Sequence, residues 1–266
     1  MSTWIVQSNL IRKDQVFPFV DALIRNGLKF TDVPVIPFSD EQLEVDCDDP
    51  IWIPYGSTKL SRIAHQYNWL GMFFDDETFR VDTWNDNHSN MLNDDAEVMT
   101  VKDAYSFMSQ NYNETWFIRP VNDFKAFSGE LISGEDFVSW IQSASAGGYM
   151  FTDMQEIIVA QPKEIKAEWR YFIVDGKIVD GSMYRLNNRM HQQHELDATV
   201  LIEAQEQADI WLPHDNCVMD IALTDKGVKV IEFNCLNSSG FYDNDLDKIV
   251  LAVTNYCDTK IDCESE

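Results

Sequence analysis

Two acidic residues and an asparagine lie late in the chain, where two predicted strands form a hairpin. Asp220 interrupts the apolar segment 217–223, and Glu232 and Asn234 interrupt the apolar segment 228–234. Side chains two positions apart on a strand point to the same face, so Glu232 and Asn234 share a face and a hairpin can bring Asp220 beside them. Two carboxylates at close range are unfavourable unless a cation lies between them.

A donor set made only of oxygen atoms suits a hard cation, Mg²⁺ or Mn²⁺. Mg²⁺ holds few protein ligands and completes its shell with water and substrate phosphates, so the three residues favour a nucleotide site. The loop 235–240 leaves the second strand and is rich in small polar residues, as loops that line sites often are. The alternative is an ordinary amphipathic hairpin with a solvated acidic face.

The composition limits which ligands are plausible. The formal net charge of the 266 residues is −25, which opposes binding to nucleic acid and means that an anionic ligand needs a local basic pocket. Five cysteines without paired C-x-x-C spacing indicate a reduced, cytoplasmic protein rather than a zinc or disulfide framework. We find no basic leader and no apolar run near about 18 residues, so we expect neither a signal peptide nor a membrane span.

The first part of the chain predicts an α/β lobe. Its strands are expected at 4–7, 33–38 and 51–54, and its helices at 14–26, with Gly27 as the C-terminal cap, and at 60–67. The turn Tyr55-Gly56-Ser57 joins the third strand to the second helix. Such turns present backbone N–H groups to anions, so this turn could hold a substrate carboxylate or phosphate, or it could be a plain connection.

The scarce cations of the chain collect at strand ends. Arg119 lies near the end of the predicted strand 116–120, and Lys125 follows in the next loop. Arg170 lies in a later predicted strand, and Arg185 follows the strand after that. Each could simply pair with one of the 45 acidic residues. The P-loop pattern Gly-x-x-x-x-Gly-Lys is absent.

The order of these features resembles the ATP-grasp superfamily, most closely its small members from phage and bacterial genomes. The resemblance covers about residues 115–253. It implies an α/β lobe at 1–95, followed by two α+β lobes, 96–160 and 161–266, that clamp ATP between antiparallel sheets. It also implies that Asp220, Glu232 and Asn234 bind Mg²⁺.

The resemblance assigns the phosphate contacts to cations. Arg119 and Lys125 would contact the ATP phosphates from the central lobe. Arg170 and Arg185 would lie against the phosphates or an acyl phosphate, and we count Lys125, Arg170 and Arg185 as the candidate catalytic residues. Only Gly129 follows Lys125, whereas many members have a glycine-rich loop there.

The adenosine contacts are expected in the linker between the two ATP-grasp lobes. Ala160, Gln161 and Lys163 would hold adenine, and Glu168 would bind the ribose hydroxyls. Gln161 stands where the family usually has an acidic residue.

The function implied is an ATP-dependent, Mg²⁺-requiring ligase that joins a carboxylate to an amine, or to a thiol, through an acyl phosphate. The acceptor amine could belong to an amino acid, a peptide or a polyamine, and we expect neither nucleic acid nor membrane as a partner. Candidate substrate contacts are Tyr55, Gly56, Ser57, Asn237 and Ser238. The alternatives are an acidic interaction protein, such as a DNA mimic, and a nucleotide-dependent kinase that lacks the amine step.

Overall fold

The structure is a computed structural model of the chain. It describes residues 1–10, 13–36, 39, 41–122, 127–147, 152–194 and 198–261, with side chains over the same ranges except 13–15, 142–147 and 260–261. The strands of these residues form one parallel and two antiparallel sheets. The predicted architecture, an α/β lobe followed by two α+β lobes, is therefore confirmed.

The N-terminal sheet is parallel and has the strand order β2-β1-β3. Its strands are β1 (Ser2–Gln7), β2 (Phe30–Val33) and β3 (Ile51–Tyr55). Helix α1 (Lys13–Arg25) connects β1 to β2, and helix α2 (Thr58–Gln66) follows β3. Every residue of β1 is buried, as expected for a central parallel strand with both faces covered.

The predicted end of the first helix is confirmed, whereas the strand predicted at 33–38 is wrong. Gly27 has φ +63° and ends α1, a conformation that glycine adopts without strain. The strand β2 ends at Val33 because Pro34 follows and has no N–H for a ladder. The backbone of Val35 instead exchanges two hydrogen bonds, of 2.8 and 3.0 Å, with the side chain of Asn9.

The central sheet is antiparallel with the strand order β4-β7-β5-β6. Its strands are β4 (Glu97–Thr100), β5 (Thr115–Pro120), β6 (Glu130–Ser133) and β7 (Glu156–Ala160). Helix α3 (Val81–Asn87) precedes this sheet, and helices α4 (Val101–Gln110) and α5 (Gly134–Gly147) belong to it. Apolar residues of α4, α5, β5 and β7 form one core beneath the sheet.

The C-terminal sheet is antiparallel with the strand order β10-β9-β8-β11-β12. Its strands are β8 (Ala167–Val174), β9 (Lys177–Leu186), β10 (Arg189–Gln193), β11 (Cys217–Thr224) and β12 (Gly227–Asn234). Helix α6 (Ala198–Ile210) lies between β10 and β11 in the chain. After β12 come a 3-10 turn (Leu236–Ser238), helix α7 (Leu246–Tyr256) and a π-helical turn (Cys257–Ile261).

Each sheet lies within one of the three predicted segments, but helix α7 crosses back to the first. Trp4 of β1 donates its indole N–H to the hydroxyl of Thr254 in α7, at 2.9 Å. Phe19 of α1 shares a core with Val253 of α7 and with Phe241. The end of the chain therefore completes the N-terminal lobe. None of the described helices is both long and apolar enough to cross a membrane.

Candidate active site

The β11–β12 hairpin brings the three predicted metal ligands to one face of the C-terminal sheet. Asp220 lies directly opposite Glu232 in the antiparallel ladder. Asn234, two residues further along β12, donates its Nδ2 hydrogen to Glu232 Oε1 at 3.2 Å. The three side chains therefore lie together, and their role as metal ligands stays a prediction.

A β-bulge in β12 places one additional side chain beside Glu232. Ile221 pairs with Val230 whereas Asp220 pairs with Glu232, so Ile231 has no partner position of its own. At a bulge two consecutive residues oppose one residue of the neighbouring strand. Ile231 and Glu232 consequently both line the same cleft, although simple alternation would place them on opposite faces.

Asp220 is buried and forms a two-pronged ion pair with Arg170 of β8. The Nε–Oδ1 and Nη2–Oδ2 distances are 2.8 and 2.6 Å. Asp220 is 1% exposed and Arg170 is 8% exposed. Burial works against the charge of Arg170, but the attraction of Asp220 outweighs it, so the pKa of Arg170 lies above its ordinary value. This guanidinium is fixed by parallel hydrogen bonds and stays charged.

Glu232 forms its ion pair with Arg119, which belongs to the central sheet. Arg119 Nη1 donates to Glu232 Oε2 at 2.6 Å, and Arg119 is 3% exposed. The guanidinium of Arg119 lies 5.1 Å from the ring centroid of Trp84. Its Nη2 atom is buried without a hydrogen-bond partner among the described residues. A buried charged donor of this kind is costly unless a ligand completes it.

Two tyrosine rings extend the charged wall of the cleft. Tyr184 and Tyr242 stack with centroids 4.7 Å apart and an interplanar angle of 9°. The Arg170 guanidinium lies 4.9 Å from the Tyr242 centroid and 5.9 Å from that of Tyr184. Burial, together with Asp220 and Glu168, raises the pKa of Tyr184 well above its ordinary value, so its hydroxyl remains protonated.

Glu168 and Arg185, both singled out from the sequence, are paired with each other. Arg185 Nη1 donates to Glu168 Oε1 at 3.0 Å. Glu168 is buried, whereas the Arg185 side chain is 42% exposed. Arg185 is therefore free to adjust its position at the mouth of the cleft while Glu168 stays fixed.

The linker between the two antiparallel sheets is held by Asp95. Asp95 accepts hydrogen bonds from Lys163 Nζ at 2.6 Å and from the Gln161 backbone N–H at 3.1 Å. Lys163 lines the cleft, Gln161 is exposed, and Ala160 is buried at the end of β7. Of these three predicted adenine contacts, the side chain of Lys163 is the one directed at the cleft.

The cleft between the two antiparallel sheets has a volume of about 470 Å³. Six of the predicted site residues line it: Arg119, Lys163, Glu168, Arg170, Arg185 and Glu232. Asp220 lines it as well, and Asn234 reaches it through Glu232. Lys125 lies outside the described residues.

A second cavity of about 220 Å³ adjoins the cleft and shares Arg170 and Tyr242 with it. Four of the five predicted substrate contacts line this cavity: Tyr55, Gly56, Ser57 and Ser238.

The fifth predicted substrate contact, Asn237, has a different environment. It is completely buried, and its Nδ2 group donates to the carbonyls of Pro54 and Gly71, both at 2.9 Å. Its Oδ1 atom accepts from the backbone N–H of Phe73, also at 2.9 Å. Asn237 therefore ties the N-terminal lobe to the C-terminal lobe, and its amide has no direction left for a substrate.

Sequence reasoning missed three side chains that line the cleft. Ile231 was hidden by the bulge, which alternation does not predict. Tyr184 and Tyr242 carry a weak signal, since one precedes Arg185 and the other ends the polar loop after β12.

A divalent cation fits the donor chemistry of Asp220, Glu232 and Asn234. Within the described part of the chain, no three His, Cys, Asp or Glu side chains cluster as a metal site. The amide of Asn234 must then supply the third protein donor, and a half turn of that amide exchanges its nitrogen for its oxygen. Two carboxylates, one amide oxygen, water and phosphate make a ligand set that Mg²⁺ accepts.

Comparison with known proteins identifies the family. A family model described as an ATP-grasp domain, the third family of its clade, matches residues 78–253. No curated protein sequence matches the chain.

Solved structures with the same fold are distant in sequence. D-alanine--D-alanine ligase from Bacillus anthracis, complexed with ATP, superposes with a TM-score of 0.63 at 10% identity and covers 100% of both chains. A RimK domain protein ATP-grasp from Sphaerobacter thermophilus gives 0.58 at 9% identity, with 96% of this chain and 98% of that chain covered. The ATP-grasp ligase PsnB with its minimal precursor gives 0.56 at 10% identity, covering 96% and 99%.

Proposed function

The chain belongs to the ATP-grasp domain proteins, and from that membership we propose that it is an ATP-dependent carboxylate–amine ligase requiring Mg²⁺ or Mn²⁺. The observation that carries the proposal is the pair of arginines beside the carboxylates of the hairpin. In a chain with a net charge of −25, Arg119 and Arg170 are buried at one cleft. Such an arrangement favours a highly charged anion that arrives with its own cation.

The metal would be held by Asp220, Glu232 and Asn234. When bound, Mg²⁺ neutralises phosphate charge and orients the triphosphate. Arg119 offers the buried Nη2 donor described above, which points to the phosphate end of the nucleotide. We assign Lys125 to the same end from the sequence alone.

The nucleoside would extend from the phosphates toward the interlobe linker. Ile231 and Lys163 line that part of the cleft, and the buried carboxylate of Glu168 offers acceptors for ribose hydroxyls. An apolar wall with a few polar groups is the usual composition of a nucleotide-base pocket.

The reaction proposed has two steps. A carboxylate oxygen of the first substrate attacks the γ-phosphorus of ATP, the bond to the bridging oxygen breaks, and ADP leaves. The amine nitrogen of the second substrate then attacks the acyl carbon, phosphate departs with the C–O bond electrons, and the nitrogen loses a proton. Arg170 and Arg185 would offset the negative charge that accumulates when two anions approach.

The second cavity is the proposed substrate site. Arg170 and Tyr242 form the boundary between this cavity and the nucleotide cleft, so a molecule in it can meet the γ-phosphate. We also propose a cytoplasmic location, because the cysteines within the described residues are free thiols, which is typical of a reducing compartment.

ADP release measured over a grid of small carboxylic acids and amines tests the proposal, with the amide product identified by mass spectrometry. The expected result is ADP release that requires Mg²⁺ and an acid, and one amide formed for each ADP. Asp220→Asn should lose this activity. Asp247→Asn, at an exposed ion pair with Arg25, is the matched control and should retain it.

Two other results would replace the proposal. ADP and a phosphorylated product without any amide would identify a kinase. Absence of ATP binding in calorimetry, with the protein folded, would favour an acidic interaction protein instead.

A further inference from the structure

The second cavity lies where α/β sheets commonly bind ligands. The chain leaves β1 toward β2 on one side, and β3 lies on the other side of β1. The carboxyl ends of β1 and β3 therefore flank a point where the strand order reverses, and ligands bind at such points. Leu10 follows β1, Ser57 follows β3, and both line the cavity.

Tyr55 presents a buried hydroxyl to this cavity. Its ring packs against Phe19 and Phe241, with centroids 4.1 and 4.9 Å away, and the residue is 4% exposed. The hydroxyl makes no hydrogen bond to any described residue. Burial raises the pKa of Tyr55, so the group keeps its proton and acts as a donor. A buried donor without a partner in a cavity wall indicates a ligand that accepts a hydrogen bond.

The charge at the cavity selects the sign of that ligand. Arg170 is the charged side chain among the described residues that line the cavity. Ser57 is already engaged, because its hydroxyl donates to Gln7 Oε1 at 2.7 Å. Tyr55, Arg170 and the hydroxyl of Ser238 are then the groups available to a ligand. Two neutral donors and a guanidinium favour a carboxylate, whereas an ammonium group would meet positive charge.

We propose that this cavity binds a small carboxylic acid without an ammonium group, with its carboxylate between the Tyr55 hydroxyl and Arg170. This rests on the proposed function, in which the acid is the acyl donor that ATP activates. The volume of 220 Å³ equals about seven water molecules at roughly 30 Å³ each, which limits the acid to a small one. The amine therefore approaches from elsewhere, and Tyr55 determines specificity for the acid.

Calorimetry with lactate, alanine and ethylamine as probes tests the inference, on the full chain with and without Mg²⁺ and a non-hydrolysable ATP analogue. Lactate should bind in both conditions, and alanine and ethylamine should bind much more weakly. Tyr55→Phe keeps the ring and removes the hydroxyl. It should weaken lactate binding by about 10- to 100-fold, the range for a hydrogen bond to a charged group, and leave the affinity for the ATP analogue unchanged.

The matched control is Tyr112→Phe, at an exposed tyrosine that lines neither cavity, and it should bind lactate normally. Three results would each overturn the inference: no lactate binding at millimolar concentration, preferential binding of ethylamine or alanine, or unchanged lactate affinity in Tyr55→Phe. Lactate binding that is lost in Tyr55→Phe, in a protein that binds no ATP analogue, would support the cavity assignment and reject the ligase.

Discussion

Asp220 and Glu232 differ in the origin of their arginine partners. Arg170 belongs to the neighbouring strand of the same sheet, whereas Arg119 reaches Glu232 from the central sheet. The first pair is built into one sheet and the second joins two sheets. Two adjacent carboxylates repel each other, and each arginine offsets part of that repulsion. We infer that Glu232 is the carboxylate whose environment changes more when a nucleotide and its metal bind.

Glu232→Gln should reduce ATP turnover by at least about 100-fold while the protein stays folded. The substitution preserves the shape and removes the negative charge that a cation requires, a loss comparable to removing one electrostatic contact in a catalytic site. ADP release measured at saturating ATP and Mg²⁺ checks this. Glu156→Gln, at the exposed pair with Arg80, is the control for charge removal. Full turnover in Glu232→Gln would remove Glu232 from the metal site.

His88 is a buried histidine outside the site whose two nitrogens are both engaged. Nε2 lies 3.0 Å from the carbonyl oxygen of Gln207 and donates to it, and Nδ1 accepts from the Asn90 N–H at 3.2 Å. A second proton on Nδ1 would oppose the Asn90 N–H. Burial lowers the pKa of His88 below its ordinary value, which agrees with a neutral ring.

The free energy of unfolding should fall as the pH drops below about 6.5, the ordinary pKa of histidine. The unfolded chain takes up the proton first, because the folded pKa of His88 is depressed, so acid favours unfolding. Urea unfolding at several pH values should give a shallower slope of stability against pH for His88→Gln. His191→Gln, on the exposed strand β10, should keep the slope of the unmodified protein, and identical slopes for both variants would contradict the assignment.

At the scale of elements, the bulge in β12 decides which side chains reach the cleft. It lets Ile231 stand beside Glu232 while Val230 and Phe233 keep their places in the core. The sheet thereby supplies an apolar contact and a carboxylate from consecutive positions. The reacting phosphates would meet Glu232, and we expect the nucleoside to meet Ile231.

Ile231→Ala should raise the KM for ATP by roughly 5- to 10-fold and change kcat little. The lost side chain would contact a part of the nucleotide that does not react, and two or three buried carbon atoms contribute about 1–2 kcal/mol. Initial-rate kinetics with ATP varied give both constants. The control is Ile202→Ala on the exposed side of α6. A fall in kcat at constant KM would place Ile231 at the phosphates instead.

The alternation of residues in the late strands was enough to predict their hairpin and the shared face of Asp220, Glu232 and Asn234. It was not enough to predict the bulge, since bulges depend on pairing with the neighbouring strand. The strand β2 was misplaced for a related reason. Val35 looks like strand in the sequence, but its backbone is bound by Asn9, which lies 26 residues away in the chain.

At the scale of the whole molecule, Asn237 and helix α7 join the first and last parts of the chain. Asn237 binds the backbone of Pro54, Gly71 and Phe73, so the turn after β12 and the N-terminal lobe hold each other. The backbone N–H of Gly56, beside the proposed acid site, also donates to the Asn237 carbonyl at 3.1 Å. The position of the second cavity therefore depends on this contact.

Asn237→Ala should lower the free energy of unfolding by about 3 kcal/mol or more. Three buried backbone groups would lose their hydrogen-bond partner, at about 1–3 kcal/mol each. Urea denaturation provides the measurement, with Asn87→Ala as the control because the Asn87 side chain makes one exposed hydrogen bond. A loss below about 1 kcal/mol, similar to the control, would show that the clamp contributes little to stability.

The sequence revealed the order of the lobes but not how they meet. The apolar patterns and the order of charged residues predicted three lobes and their site residues. The two arginine–carboxylate pairs and the Asn237 clamp join residues that are 50 to 183 positions apart. Residue types alone do not specify such pairings, because the 45 acidic side chains offer every cation many partners.

A crystal structure with Mg²⁺ and a non-hydrolysable ATP analogue tests the central claim most directly. We predict a Mg²⁺ ion about 2.1 Å from oxygen atoms of Asp220 and Glu232, with the amide oxygen of Asn234 turned toward it and the analogue's phosphates completing its shell. Phosphates bound elsewhere, with these three side chains directed away from any phosphorus atom, would contradict the account.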